Sequence, residues 1–259
     1  MRGNFMIRQC RGEVRARVTA LAVVVAAVAV GAFCVAGLAA SSVAHAQASG
    51  AGAADKPAEL QITGAPMPMR VLVQSPAETA TELQTICLFA ATPENTLHGS
   101  LVELNEKLKG LLEKIRKPGL FRGDLGETLV LTAPAGGSAG RFGAKRLLLI
   151  GLGDSATFTP ERMEFVGATF YREAARLGVT DPYFAPTILD GGVTKFATGD
   201  VAENFVAGFL RAARTEKLLQ DAGAAQKPLV RSLTFLAGAA HAADTQHGIQ
   251  RGLGRTGAE

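Results

Sequence analysis

The 259-residue chain contains no tryptophan, two tyrosines, three cysteines and four histidines. Each scarcity excludes something. Two of the cysteines, Cys10 and Cys34, lie in the first 46 residues, which leaves Cys87 alone in the remainder. One thiol closes no internal disulfide, so the folded part must hold together by its core. In the apolar run "QTICLFA", Cys87 reads as a small buried hydrophobe. Past residue 46 the histidines are His98, His241 and His247, none in HExxH or H-x-H spacing. With no cysteine pair either, zinc-type sites have no ligand set. G-x-S-x-G is absent, which removes the common serine-nucleophile elbow, and no Gly-Lys-Ser/Thr closes a phosphate loop.

Charge of one sign is also missing from most of the chain. The total is 27 basic and 23 acidic residues. Five arginines (Arg2, Arg8, Arg11, Arg15, Arg17) and one acid, Glu13, fall in residues 1–46, which leaves 22 of each sign beyond them. A neutral remainder gives no electrostatic reason for nucleic acid or an anionic membrane as partner.

Those arginines precede the apolar stretch "VTALAVVVAAVAVGAFCVAGLAA" and the small-residue exit "SSVAHA" before Gln47. Residues 1–46 therefore read as a signal peptide with an A-x-A cleavage site, and the mature protein as periplasmic or secreted. The apolar run is long enough to compete as an uncleaved anchor, the one route to a membrane in this reading. Phe33 ahead of Cys34 does not suit a lipidation signal. Residues 47–66, opening with "QASGAGAADKPA", read as a flexible lead-in, although "ELQITG" within them is already β-prone.

Strand candidates follow at "MRVLVQS", "LQTICLFA", "ETLVLTA", "KRLLLIG" and "RSLTFLAG". "PYFAPTIL" is extended, with Pro186 suggesting an edge strand or a bulge. Apolar residues at Leu97, Leu101, Leu104, Leu108, Leu111, Leu112 and Ile115 predict one helix over 97–115, ended by Pro118-Gly119. Thr159 as N-cap, Pro160 at the first position and Glu161 in the first turn predict another, stopping at Gly178. Glu161 and Glu164 are read as a solvated flank of that helix, and "RAARTEK" (211–217) as an exposed helix end. Further helices are expected over 200–219 and 241–253. Strands alternating with helices imply an α/β sandwich with a mixed sheet.

The stretch "KRLLLIGLGDSATFTPERMEF" raises the sharpest functional question, since Gly151 to Ala156 matches G-x-G-x-x-A. In a dinucleotide site the helix starts inside that motif, so that its free N–H groups meet the pyrophosphate. Here the capping signals put the helix start near Thr159, and the next strand ends at Asp190, nearly forty positions from Gly151 rather than about twenty. A turn is the better reading. "PAGGSAG" (134–140) and "DGGV" (190–193) are likewise read as loop and turn.

The segments "GDLGETLVLTAPAG…AKRLLLIGLGDSATFTPERM" and "AENFVAGFLRAARTEK" resemble the N-terminal domain of the leucine aminopeptidase (cytosol aminopeptidase) family. "AADTQHGIQRGLGRTGAE" is similar to the start of its linker helix. The resemblance covers residues 67–259 and implies a macro-like three-layer α/β/α sandwich with a mixed sheet. It implies no cofactor in this chain: the family's two divalent metals are held by a catalytic domain with K-G-x-x-x-D-S-G-G-type and N-T-D-A-E-G-R segments. Neither occurs in these 259 residues. Two-metal hydrolysis needs several carboxylates to hold the cations and generate hydroxide. No catalytic, cofactor-binding or metal residue is therefore assigned.

Three expectations follow. The first is an exported, non-catalytic interaction or assembly module with a protein partner or self-association. The second is a truncated or split metallo-aminopeptidase. The third is a macro-like nucleotide or ADP-ribose binding module using the glycine loops near Gly136 and Gly151.

Overall fold

A computed structural model describes residues 57–91, 96–132, 143–225 and 230–257. The signal segment, the first half of the lead-in (47–56) and the 134–140 loop lie outside them.

The described strands are β1 (Glu59–Ile62), β2 (Met69–Val73), β3 (Leu83–Leu88), β4 (Thr128–Thr132), β5 (Arg146–Gly151), β6 (Tyr183–Ala185) and β7 (Leu233–Ala237). They form one sheet in the order β1-β2-β7-β6-β3-β5-β4. The five inner strands run parallel, and β1 and β4 pair antiparallel at the two edges. The helices are α1 (Gly99–Lys107), α2 (Leu111–Arg116), α3 (Arg162–Arg176), α4 (Thr198–Asp221) and α5 (Ala242–Gly257), with a 3-10 turn at Ala239–His241 before α5.

Side chains alternate across the sheet with the strand period of two. Leu148 and Ile150 of β5 face α3, α4 and α5 in a core with Phe170, Phe205 and Phe209, whereas Leu147 and Leu149 face α1 and α2 in a core with Leu101, Leu104 and Leu112. The chain is therefore a three-layer α/β/α sandwich with a mixed sheet, as the alternation of elements implies. Apolar strands covered on both faces explain the near-continuous runs in β3 and β5, whose buried residues include Ile86, Cys87 and Leu88.

The three-helix layer is drawn together by glycines. A Cβ on Gly208 of α4 would lie 2.5 Å from the carbonyl carbon of Glu164 in α3. One on Gly248 of α5 would lie 2.5 Å from Gly199 Cα. At these crossings backbone meets backbone, and Phe170, Phe184, Phe205 and Phe235 fill the space beneath with ring centroids 3.8 to 5.6 Å apart.

Two expectations are corrected. The predicted 97–115 helix is two helices: Lys109 and Gly110 take φ of 56° and 74°, and Gly110 N–H donates to Asn105 O. The apolar rhythm persists across this break because Leu104 and Leu112 still serve the same core. β6 is neither edge nor bulge. It lies between β7 and β3, stops at Ala185, and leaves Pro186 just outside the ladder. Beyond the proline, Thr187 continues the pairing through its side chain. Its hydroxyl accepts from Cys87 N–H at 3.1 Å and donates to Cys87 O at 2.6 Å. β1 falls inside the 47–66 segment, in register with β2 (Glu59 opposite Leu72), where "ELQITG" was read as β-prone.

Candidate functional site

The Gly151 loop is a turn tied into its own chain. Leu152 N–H donates to Leu88 O and Gly153 N–H to Gly123 O, at 2.9 and 2.8 Å. Both amides between the glycines are thus committed. Arg162 closes the loop from the other side, donating to Leu152 O and Thr157 O. Helix α3 begins only at Arg162, too far along for its N-terminus to open onto the motif. The glycines have a packing cause: a Cβ on Gly151 would lie 2.7 Å from the Gly123 carbonyl carbon, and Gly153 has φ of 74°.

A second feature of the carboxyl edge lies one step along, beyond the ends of β2, β7 and β6. It is a cleft of about 870 Å³. Its floor is apolar (Val73, Ile188, Val201, Leu236), with Phe196 at one side. Ser75, Glu78, Ser100, Glu103 and Asp190 form a polar wall, and His241 and Thr245 approach from the start of α5. Open α/β sheets bind ligands in this position, past the carboxyl ends of their strands. The volume falls in the range of about 300–1,000 Å³ usual for small-ligand sites.

Local structure fixes the wall. Asp190 caps α1, accepting from Ser100 N–H at 3.3 Å and Ser100 Oγ at 2.5 Å. Ser75 Oγ donates to Glu103 at 2.9 Å, which ties the loop after β2 to α1. Asp244 of α5 caps α4, accepting from Gly199 N–H at 2.7 Å and Thr198 Oγ at 2.8 Å. The Gly199 amide, with Thr198 beside it, holds the Asp244 carboxyl below its usual value against the opposing effect of burial.

The histidines stay apart. His98 is exposed at the N-cap of α1, His241 is exposed at the cleft rim, and His247 is exposed on α5. Cys87 is buried beneath Thr187, and burial pushes its thiol far up. Glu164 corrects the expectation of a solvated flank: it bridges Arg211 of α4 and Arg255 of α5. Burial raises its carboxyl, and the two arginines more than offset that, for a net lowering. Arg211, the first residue of the "RAARTEK" run, is therefore an inter-helix tie, while Lys217 pairs with Asp221 one turn along its own helix.

No group of three or more His, Cys, Asp or Glu among the described residues is placed to hold a metal ion. Asp190 and Asp244 cap helices and Glu164 is paired with arginines, so the described carboxylates do not fit a two-metal centre. The sequence reading missed the cleft. Its only signal was "APTILDGGV", read as extended chain and a turn.

A mixed-sheet α/β/α sandwich with a carboxyl-edge cleft defines a macro-like module. It is similar to a mutant macrodomain of Oceanobacillus iheyensis, with a TM-score of 0.50 and 13% identity, covering 76% of this chain and 99% of that one. It is also similar to a tomato leucine aminopeptidase mutant, with a TM-score of 0.53 and 19% identity, covering 71% of this chain and 35% of that one. In sequence, residues 88–214 match the cytosol aminopeptidase family, N-terminal domain. A probable cytosol aminopeptidase of Thermosynechococcus vestitus is 32% identical over 95 residues, which cover 37% of this chain and 18% of that protein. Residues 88–214 thus match the N-terminal domain of the cytosol aminopeptidase family, to whose members the chain is similar in part of its sequence and in fold. The chain spans less than a fifth of the length of the curated relatives it matches.

Proposed function

We propose that this domain is an exported docking module of the cytosol aminopeptidase family, which binds a protein or peptide partner and performs no hydrolysis of its own. The observation that carries the reading is the cleft, an apolar floor with a polar wall at the carboxyl edge of a family N-terminal domain. Its polar wall is held by helix capping and side-chain hydrogen bonds, a rigid frame suited to binding. Export rests on the arginine-rich start, apolar run and A-x-A exit of residues 1–46. The test is incubation of the purified chain with leucyl-p-nitroanilide and excess manganese or zinc. No release of nitroaniline above buffer is expected. Metal-dependent release that survives further purification contradicts the proposal.

A second reading is a nucleotide or ADP-ribose module, favoured by the likeness in fold to a macrodomain and by the position of the cleft. Titration calorimetry with ADP-ribose tests it, and an absence of heat at millimolar ligand counts against it.

A further inference from the structure

The cleft has a charge and a donor–acceptor pattern that select among ligands. Phosphate ligands at the carboxyl edge of an α/β sheet rely on a helix N-terminus, where free N–H groups and the positive end of the dipole meet the anion. Three helices begin at this cleft: α1 and α4 each already carry a carboxylate of the protein, and the start of α5 presents His241 and Thr245. Asp190 occupies the first turn of α1 through Ser100 N–H and Oγ. Asp244 occupies the first turn of α4 through Gly199 N–H and Thr198 Oγ. A phosphate entering here would meet a fixed anion at two of the three helix starts.

The wall adds to that repulsion. Three carboxylates, Glu78, Glu103 and Asp190, line the cleft, and among the described residues no lysine or arginine does. The neighbouring cations are engaged. Lys107 Nζ donates to Ala77 O at 2.8 Å and lies 3.9 Å from Glu78, and Lys195 Nζ lies 4.9 Å from the ring centroid of Phe196. Among the described residues, the Glu103 carboxyl receives the neutral Ser75 hydroxyl and the Asp190 carboxyl receives Ser100.

A second observation comes from α5. Thr245 is 2% exposed and lines the cleft, yet its hydroxyl makes no hydrogen bond among the described residues. That hydroxyl is open to the cleft rather than sealed in the core, so a ligand entering there finds it unengaged. The same cleft is lined by the apolar side chains of Val73, Ile188 and Leu236. Anionic wall, apolar floor and open acceptor match a group with an aliphatic stem and a charged N–H head.

Building on the docking reading, we infer that the cleft takes a basic side chain presented on a short peptide, its stem on the apolar floor and its ammonium or guanidinium between Glu103, Asp190 and Thr245. The test uses the full chain and three probes: a blocked lysine-rich tetrapeptide, its glutamine counterpart and ADP-ribose, followed by calorimetry. The lysine peptide is expected to bind about tenfold or more tightly than the glutamine peptide, as one charge-assisted hydrogen bond supplies. Raising salt should weaken it, and ADP-ribose should give no heat. Glu103 is exposed, so Glu103→Gln leaves the fold intact; it should weaken the lysine peptide several-fold and leave the glutamine peptide unchanged. Thr245→Val, checked for native circular dichroism, should weaken the lysine peptide too. Equal binding of the two peptides overturns the charge inference while the docking reading stands. Binding of ADP-ribose alone, or of none of the three, overturns the inference. Hydrolysis of leucyl-p-nitroanilide is the separate result that sinks the docking reading itself.

Discussion

Replacing Gly208 by alanine sets two effects of opposite sign against each other. In an open helix the change is favourable by about 1 kcal/mol, because glycine is the poorer helix former. At Gly208 the new methyl would lie 2.5 Å from the Glu164 carbonyl carbon and 2.7 Å from its Cα. Those are backbone atoms of α3, so no side chain can rotate away and the helices must separate. Overpacking of this kind costs about 1–3 kcal/mol, occasionally more, and a backbone obstacle puts Gly208 at the upper end. Separation would also loosen the bridge from Glu164 to Arg211 and the ring cluster around Phe205 and Phe209. The net expectation is a loss of about 2 kcal/mol. That corresponds to a fall of roughly 4–8 °C in Tm for a domain of this size. Gly254 is the control: it is on α5, exposed, and a Cβ there meets nothing within 4 Å. Gly254→Ala should gain up to about 1 kcal/mol. Urea denaturation followed by far-ultraviolet circular dichroism reads both, with the slope unchanged and only the midpoint shifted. Gly208→Ala as stable as the parent, or Gly254→Ala as damaging as Gly208→Ala, would refute the account of the helix layer.

Further outcomes follow from other residues. Asp244 has its carboxyl lowered by the Gly199 amide and by Thr198, so its contribution is present above the ordinary carboxylate range and is lost as pH falls through the lowered folded-state value. Asp244→Asn should therefore cost about 0.5–1 kcal/mol at pH 7, the lower part of the capping range because the side chain is exposed, and the gap to the parent should close in strong acid. With Cys10 and Cys34 replaced by serine, Cys87 should react with a thiol reagent only after urea unfolds the chain; rapid reaction of the native protein would contradict its burial. Mass spectrometry of protein recovered from an exporting bacterium should find Gln47 as the first residue, and an intact residue 1 would count against cleavage.

The sandwich was legible because its signals are local. The continuous apolar run of β5 and the helical stripe of Met163, Val166 and Phe170 can each be read from consecutive residues. The break at Lys109–Gly110 was not legible, because the leucines on either side keep one helical phase while the backbone turns between them. The place of β6 was obscured for a different reason. A proline one residue past a central strand resembles a proline within an edge strand until Thr187 is seen closing the ladder from a hundred residues away in sequence. The cleft was hidden for the same cause at larger scale. Asp190 meets Ser100 and Asp244 meets Gly199 across separations of 90 and 45 residues, so their charges join only when the sheet order is known. The Gly-x-Gly motif erred the other way, locally suggestive yet explained by Gly123 and Asp124 pressing against Gly151.

The most direct test of the central claim is a nitrogen–proton correlation spectrum of the labelled chain titrated with the lysine-rich tetrapeptide. The account predicts shift changes at Ser100, Glu103, Ile188, Asp190 and Thr245, with the Leu152–Ala156 amides unmoved. Changes centred on the Leu152–Ala156 loop, or none at the cleft at saturating peptide, would contradict it.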